Sequence, residues 1–210
     1  MIMDATKITK KVTSYVGIAV LVGLLLFTMI QLVLRISKED QSIETKIADL
    51  ETEVQYTQQA STLMDYYYKE NVCMRFHVVK TMLKAIDKYR PHYFPEGPFT
   101  REDFVALALT ETTNLDQYTI GGFGERGLFQ IMPDMCRAMG VKKNHFDIYV
   151  NTELSMFVLR EKFNKHKDYY KALIAYNGVI VDPKTKRWRD KYWKRFLRYR
   201  RDVDIIFGGK

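Results

Sequence analysis

The chain has 210 residues, 47% hydrophobic and 28% charged, which excludes a disordered chain and allows one globular domain with a real core plus extra segments. The net charge of +8 points toward polyanions, yet ten basic residues against one acidic residue between Lys184 and Arg201 account for the whole surplus. Two distant cysteines, Cys73 and Cys136, and four scattered histidines lack metal-ligand spacing, so no metal or cofactor is expected.

Residues 1–15 form a short basic tail. From Val16 to Leu34 runs VGIAVLVGLLLFTMIQLVL, nineteen residues without a charge, which as a helix at ~1.5 Å per residue approaches the thickness of the hydrocarbon layer. A transmembrane helix is expected over 16–34. A cleaved secretory leader is the competing reading, but the run exceeds an ordinary signal core and its exit, LRISKED, offers no small-residue cleavage site. Lys7, Lys10 and Lys11 against Arg35 and Lys38 favour a cytoplasmic N-terminus, with everything after residue 36 on the far side. The expected location is a bacterial inner membrane, single-pass, with a phage virion membrane or ejection apparatus as the alternative.

Residues 35–64 predict a helical stalk. SKEDQSIETKIADLETEVQYTQQ is polar and free of Gly and Pro, with Ile43, Ile47, Leu50 and Val54 at alternating four and three spacing. Such a stripe either self-associates or touches the neighbouring domain. The domain expected over 65–207 opens with an amphipathic helix carrying Val72, Phe76, Val79, Leu83 and Ile86 and ending before Pro91. PHYFPEGP is a connection. Thr100, with Asp103 three residues on, caps the next helix. DQYTIGGFGERG breaks periodicity with four glycines. Helix returns at Pro133 and stops at Gly140. Two more helical stretches, NTELSMFVLREKFNKH and DYYKALIAYNG, precede a PKTK turn. A basic helix closes the chain, with Trp188, Tyr192, Phe196, Tyr199 and Val203 on one stripe. No convincing strands follow the apolar run, so the fold is mainly α.

One charge stands out. As a helix, Phe104, Leu107, Ala108 and Glu111 share one apolar stripe. A carboxyl that loses water there has a raised pKa and keeps its proton near neutral pH, as a general acid requires. The bland alternative is that Glu111 pairs with an arginine or reaches water at the helix end.

Three motifs favour the sharper reading. ALTET around Glu111, then Gly127-Leu128-Phe129-Gln130-Ile131-Met132-Pro133, then Ala175-Tyr176-Asn177 resemble, in order and nearly in spacing, the lytic transglycosylase domain related to goose-type lysozyme. The closing YWKRFLRYR is similar to that family's final helix, so the resemblance covers roughly residues 70 to 203. It implies a lysozyme-like α-helical domain. It further implies that Glu111 is the single acid/base: it protonates the oxygen between MurNAc and GlcNAc in peptidoglycan, then takes a proton from the C6 hydroxyl. The product is a 1,6-anhydro sugar, and no water is consumed. By the same resemblance Gln130 hydrogen-bonds the glycan, Phe129 and Ile131 are its apolar neighbours, and Tyr176 and Asn177 shape the site. Thr112 stands for the family's Ser, and the loop before GERG lacks the serine that positions the N-acetyl group in relatives. Thr119 is the residue that substitutes for it.

Two other readings carry weight. If Asp116 or Glu125 activates water on the opposite face of the sugar, the enzyme is a lysozyme-like hydrolase that inverts. A non-catalytic wall-binding or assembly protein is the third reading, favoured if Glu111 sits in a salt bridge with no cleft beside it. The basic C-terminal helix packs its aromatics inward and leaves its cations solvated. Nucleic acid is not the expected partner, because those aromatics share one face instead of offering separate stacking sites.

Overall fold

The computed structural model describes residues 5–138, 140–141, 144–178 and 186–208, with side chains from residue 24 onward. The helices are α1 (Ala5–Tyr68), α2 (Phe76–Tyr93), α3 (Arg101–Glu111), α4 (Pro133–Ala138), α5 (Ile148–His166), α6 (Tyr169–Tyr176) and α7 (Lys186–Gly208). Between α3 and α4 the chain makes only two isolated bridges, Ile120 with Arg126 and Arg126 with Ile131. The molecule is mainly helical, as the periodicities predict. The PKTK turn lies largely outside the described residues.

The chain divides into two compact units, Met1–Glu53 and Val54–Lys210. In the first unit the helix carries no buried side chain among those described; Leu24 to Leu34, Ile43, Ile47 and Leu50 are all exposed. The expected transmembrane helix is corrected here: among the described residues no helix is long and apolar enough to cross a membrane. Among the described side chains, the apolar stretch Leu24–Leu34 is interrupted by Thr28 and Gln31. Charges follow at once with Arg35, Lys38, Glu39 and Asp40, and the side chains of 16–23 lie outside the described residues. The single-pass inner-membrane location, with its membrane-bound virion alternative, loses its basis with that helix.

The second unit holds the core. Ala60, Leu63 and Tyr67 from the end of α1 are buried, as are Val79, Leu83 and Ile86 of α2. Val72 lies before α2 instead of on it, and Phe76 is partly exposed. The helix also runs one turn further than expected. Pro91 is accommodated in the last turn, and Phe94 N–H closes the end on the Arg90 carbonyl at 2.8 Å. α3 packs most extensively on α7, α2 on α5, and α5 on α6.

α3 starts as its sequence dictates. The Asp103 N–H donates to Thr100 Oγ1 and the Thr100 N–H donates to Asp103 Oδ2 at 2.7 Å, a reciprocal capping box. It then departs from the expected single stripe: every residue from Asp103 to Thr110 is buried. A helix buried all round lies within the core, and its polar residues need partners inside the protein. Asp103 finds them in Tyr169, whose hydroxyl donates at 2.8 Å, and Arg200, whose Nε donates at 2.6 Å.

On α7 the buried stripe is Tyr192, Phe196, Tyr199 and Val203, with Arg187, Lys191, Lys194, Arg198 and Arg201 outward. Trp188 does not join it and is 65% exposed. Trp193 packs in its stead, stacked on Phe196 with ring centroids 5.7 Å apart. The two cysteines are free, Cys136 buried and Cys73 exposed.

Candidate active site

Glu111 is the last residue of α3, placed where a core helix ends at a groove. Thr112 builds that ending. Its N–H donates to the Ala108 carbonyl at 2.8 Å, and its buried hydroxyl donates to the Leu128 carbonyl at 2.9 Å. The bond to Leu128 ties the end of α3 to the segment GLFQIMP. A serine in place of Thr112 would offer the same hydroxyl to this bond.

The segment itself is pinned by a residue the motifs do not contain. Asn151 of α5, buried, accepts from the Phe129 N–H and donates to the Arg126 carbonyl, both at 2.9 Å. Gly127 lies directly on it: with φ at +80°, an added Cβ would come within 2.6 Å of Asn151 Nδ2. Only glycine fits that contact and that backbone region. Gln130 takes a left-handed φ of 48° without being glycine. Its amide nitrogen compensates by donating to the Gly127 carbonyl at 2.8 Å and to the Thr119 carbonyl at 3.3 Å. Its amide oxygen comes close to Gly121, where a Cβ would lie 2.6 Å away.

These elements bring Glu111, Gln130, Tyr176 and Asn177 together on one groove of about 620 Å³, with Phe123 and Glu125 from the glycine-rich loop. Tyr176 and Asn177 arrive on the end of α6, which Asp168 caps by accepting the Lys171 N–H at 2.7 Å. The Tyr176 hydroxyl donates to the Phe129 carbonyl at 2.8 Å and locks α6 to the GLFQIMP segment. Thr119 is half-buried and touches the site through its backbone carbonyl; its side chain does not line the groove. Phe129 and Ile131 are buried in the core and do not line it either. Asp116 forms a turn, its Oδ1 accepting the Tyr118 N–H at 3.1 Å, whereas Glu125 lines the groove and accepts the Phe123 N–H at 3.0 Å.

Glu111 has one short partner. The Tyr192 hydroxyl, from 81 residues away on α7, donates to its Oε1 at 2.6 Å. The Glu111 pKa is pushed up from 4.5 to about 7, with burial as the main cause. The Tyr192 hydrogen bond and the Arg195 charge oppose that rise, and the Glu125 charge adds to it. Burial, then the Glu111 charge, raises Tyr176 and Tyr192 well above the ordinary phenol range. Both tyrosines therefore stay protonated as donors at neutral pH. The carboxyl can give up or accept a proton near neutrality, at the wall of an open groove. Among the described residues Glu111 forms no ion pair, and no cluster of three His, Cys, Asp or Glu side chains could hold a metal.

Sequence reasoning missed Tyr192 and Asn151 as site residues. Tyr192 carried a faint signal, since a tyrosine instead of a phenylalanine on a buried stripe has a hydroxyl that needs a partner. Asn151 carried none, because one asparagine early in a helix reads as an ordinary surface or capping residue.

Over 94 residues the chain is 31% identical to a transglycosylase of Enterobacteria phage PRD1, a stretch that makes up 43% of this chain and 32% of that protein. No protein-family model matches the chain, and no solved structure matches it. The chain thus spans about a third of the length of the curated relative it matches, and over that part it is similar to a transglycosylase.

Proposed function

We propose that this protein cleaves peptidoglycan as a lytic transglycosylase, with Glu111 as its single general acid/base. The observation that carries the reading is the Glu111 carboxyl itself, half-buried at the end of α3 with its pKa pushed up to about 7, facing a groove shared with Gln130, Tyr176 and Asn177. Similarity to a transglycosylase supports the same substrate class. Protonated Glu111 gives its proton to the oxygen between MurNAc and GlcNAc as the C1–O bond breaks. The resulting carboxylate then takes the C6 hydroxyl proton while O6 bonds to C1. Atoms balance without water, and one carboxyl suffices because the sugar supplies the nucleophile, unlike the usual two-carboxylate schemes. The tyrosine hydroxyl of Tyr192 supports the middle of this cycle by donating to the carboxylate form.

A second reading draws on Glu125, which lines the same groove and whose charge acts on Glu111. With Glu125 activating a water, the product would be a reducing end with inverted configuration. Mass spectrometry of digested peptidoglycan separates the two, since the anhydro product is lighter by one water. Anhydro ends that vanish with Glu111→Gln are the expected result; reducing ends would establish the hydrolase. Self-association through residues 35–64 is a further part of the proposal, supported by the exposed Ile43, Ile47 and Leu50. Sedimentation of the full chain against a variant with these three changed to serine tests it.

A further inference from the structure

Phe123 is the most exposed of the large hydrophobic side chains described, at 88%, yet it lines the groove that holds Glu111. It is the third residue of a tight turn, Gly121–Gly124, closed by the Gly124 N–H donating to the Gly121 carbonyl at 3.1 Å. Turn tips favour Gly, Asn, Asp and Ser, each for a backbone reason that phenylalanine does not share. Folding gains almost nothing from a ring left in water.

The loop nevertheless fixes where that ring is carried. The Phe123 N–H donates to Glu125 Oε2 at 3.0 Å, and the Gly121 N–H donates to the Glu125 carbonyl at 2.8 Å. Gly122 and Gly124 on either side have open space around them, so the ring stands clear of its own loop. The groove lining divides in two by chemistry: Phe123 and the partly exposed Met132 are apolar, whereas Glu111, Gln130 and Asn177 are polar. A pyranose divides the same way, with C–H bonds on its faces and hydroxyl or amide groups around its edge. A ring beside a row of polar groups is complementary to a ligand of that form.

We propose that Phe123 is a substrate-binding residue whose ring stacks on the C–H face of a sugar of the glycan chain, leaving the polar edge to Gln130 and Asn177. The inference rests on the glycan-cleaving reading for its ligand class, and it adds a residue outside the motifs that suggested that reading. The step is binding alone and consumes nothing.

The test uses the full chain and purified, soluble peptidoglycan strands. Initial rates are measured for wild type, Phe123→Ala and Phe123→Trp, and strand affinity is measured for the same three in a Glu111→Gln background. Phe123→Ala is expected to raise KM and weaken affinity by about three- to ten-fold, the scale of one aromatic contact, with kcat within about two-fold. Phe123→Trp restores both. Active enzyme whose KM and affinity ignore Phe123→Ala overturns the inference and leaves the cleavage reading standing. Strands that bind through Phe123 without being cut by wild type sink the cleavage reading and keep the stacking role. A wild type that neither binds nor cuts overturns both.

Discussion

Two of the carboxylates on helix α3, Asp103 near its start and Glu111 at its end, are treated in opposite ways. Asp103 is buried and saturated: it accepts from Tyr169, from Arg200 at 2.6 Å and from the Thr100 backbone. Glu111, eight residues on, has the Tyr192 hydroxyl and an open groove, and its pKa rises to about 7. The same helix thus spends one carboxylate on holding α3, α6 and α7 together and keeps the other available. Burial alone does not make a site. What distinguishes Glu111 is burial without a matching cation in contact.

Substitution of each carboxylate should break the contrast in a different currency. Glu111→Gln is expected to lower glycan cleavage by about a thousand-fold, the middle of the range for a general acid, while its folded spectrum is unchanged; initial rates and circular dichroism check it. Asp103→Ala should instead cost about 3 kcal/mol of stability, because it removes the buried acceptor of Arg200 Nε and the Tyr169 hydroxyl and opens the cap of α3. Urea denaturation measures this. Should the Asp103 variant lose activity with full stability, the division of roles between the two ends fails.

The pH dependence of stability sharpens the same comparison. Folded protein holds the Glu111 proton up to about pH 7, whereas the unfolded chain releases it near 4.5. Native molecules therefore bind more protons inside that window, and stability falls as pH rises through it. Glu111→Gln removes the fall and should gain on the order of 2 kcal/mol over wild type between pH 4 and pH 8, allowing for the solvent that reaches the groove. Denaturation curves at the two pH values test it. The smallest effect belongs to Tyr192→Phe. That hydrogen bond lowers the Glu111 pKa, so its loss should move the alkaline limb of the rate profile to higher pH, which a pH–rate series reads directly.

Local chemistry made some of this legible. Thr100 and Asp103 announce the start of α3, and the glutamate, GLFQIMP and AYN segments name Glu111, Gln130, Tyr176 and Asn177, which line one groove. Long-range partners left no comparable trace. Tyr192 meets Glu111 across 81 residues, and Asn151 pins Arg126 and Phe129 from a different helix. The apolar stripe expected for α3 misjudged its surroundings: α7, α2 and their neighbours enclose it, and periodicity along one helix cannot show how many others surround it. Phe129 and Ile131 illustrate the same limit, since a motif gives order along the chain but not which side chains turn inward.

The most direct measurement is the titration of Glu111 itself, followed by carbonyl carbon shifts in glutamate-labelled protein and assigned through the Glu111→Gln variant. A midpoint near 7 is predicted, moving further up in Tyr192→Phe. A midpoint at the ordinary value of 4.5 would mean the carboxyl has already lost its proton when the glycan arrives, and the proposed acid would be absent.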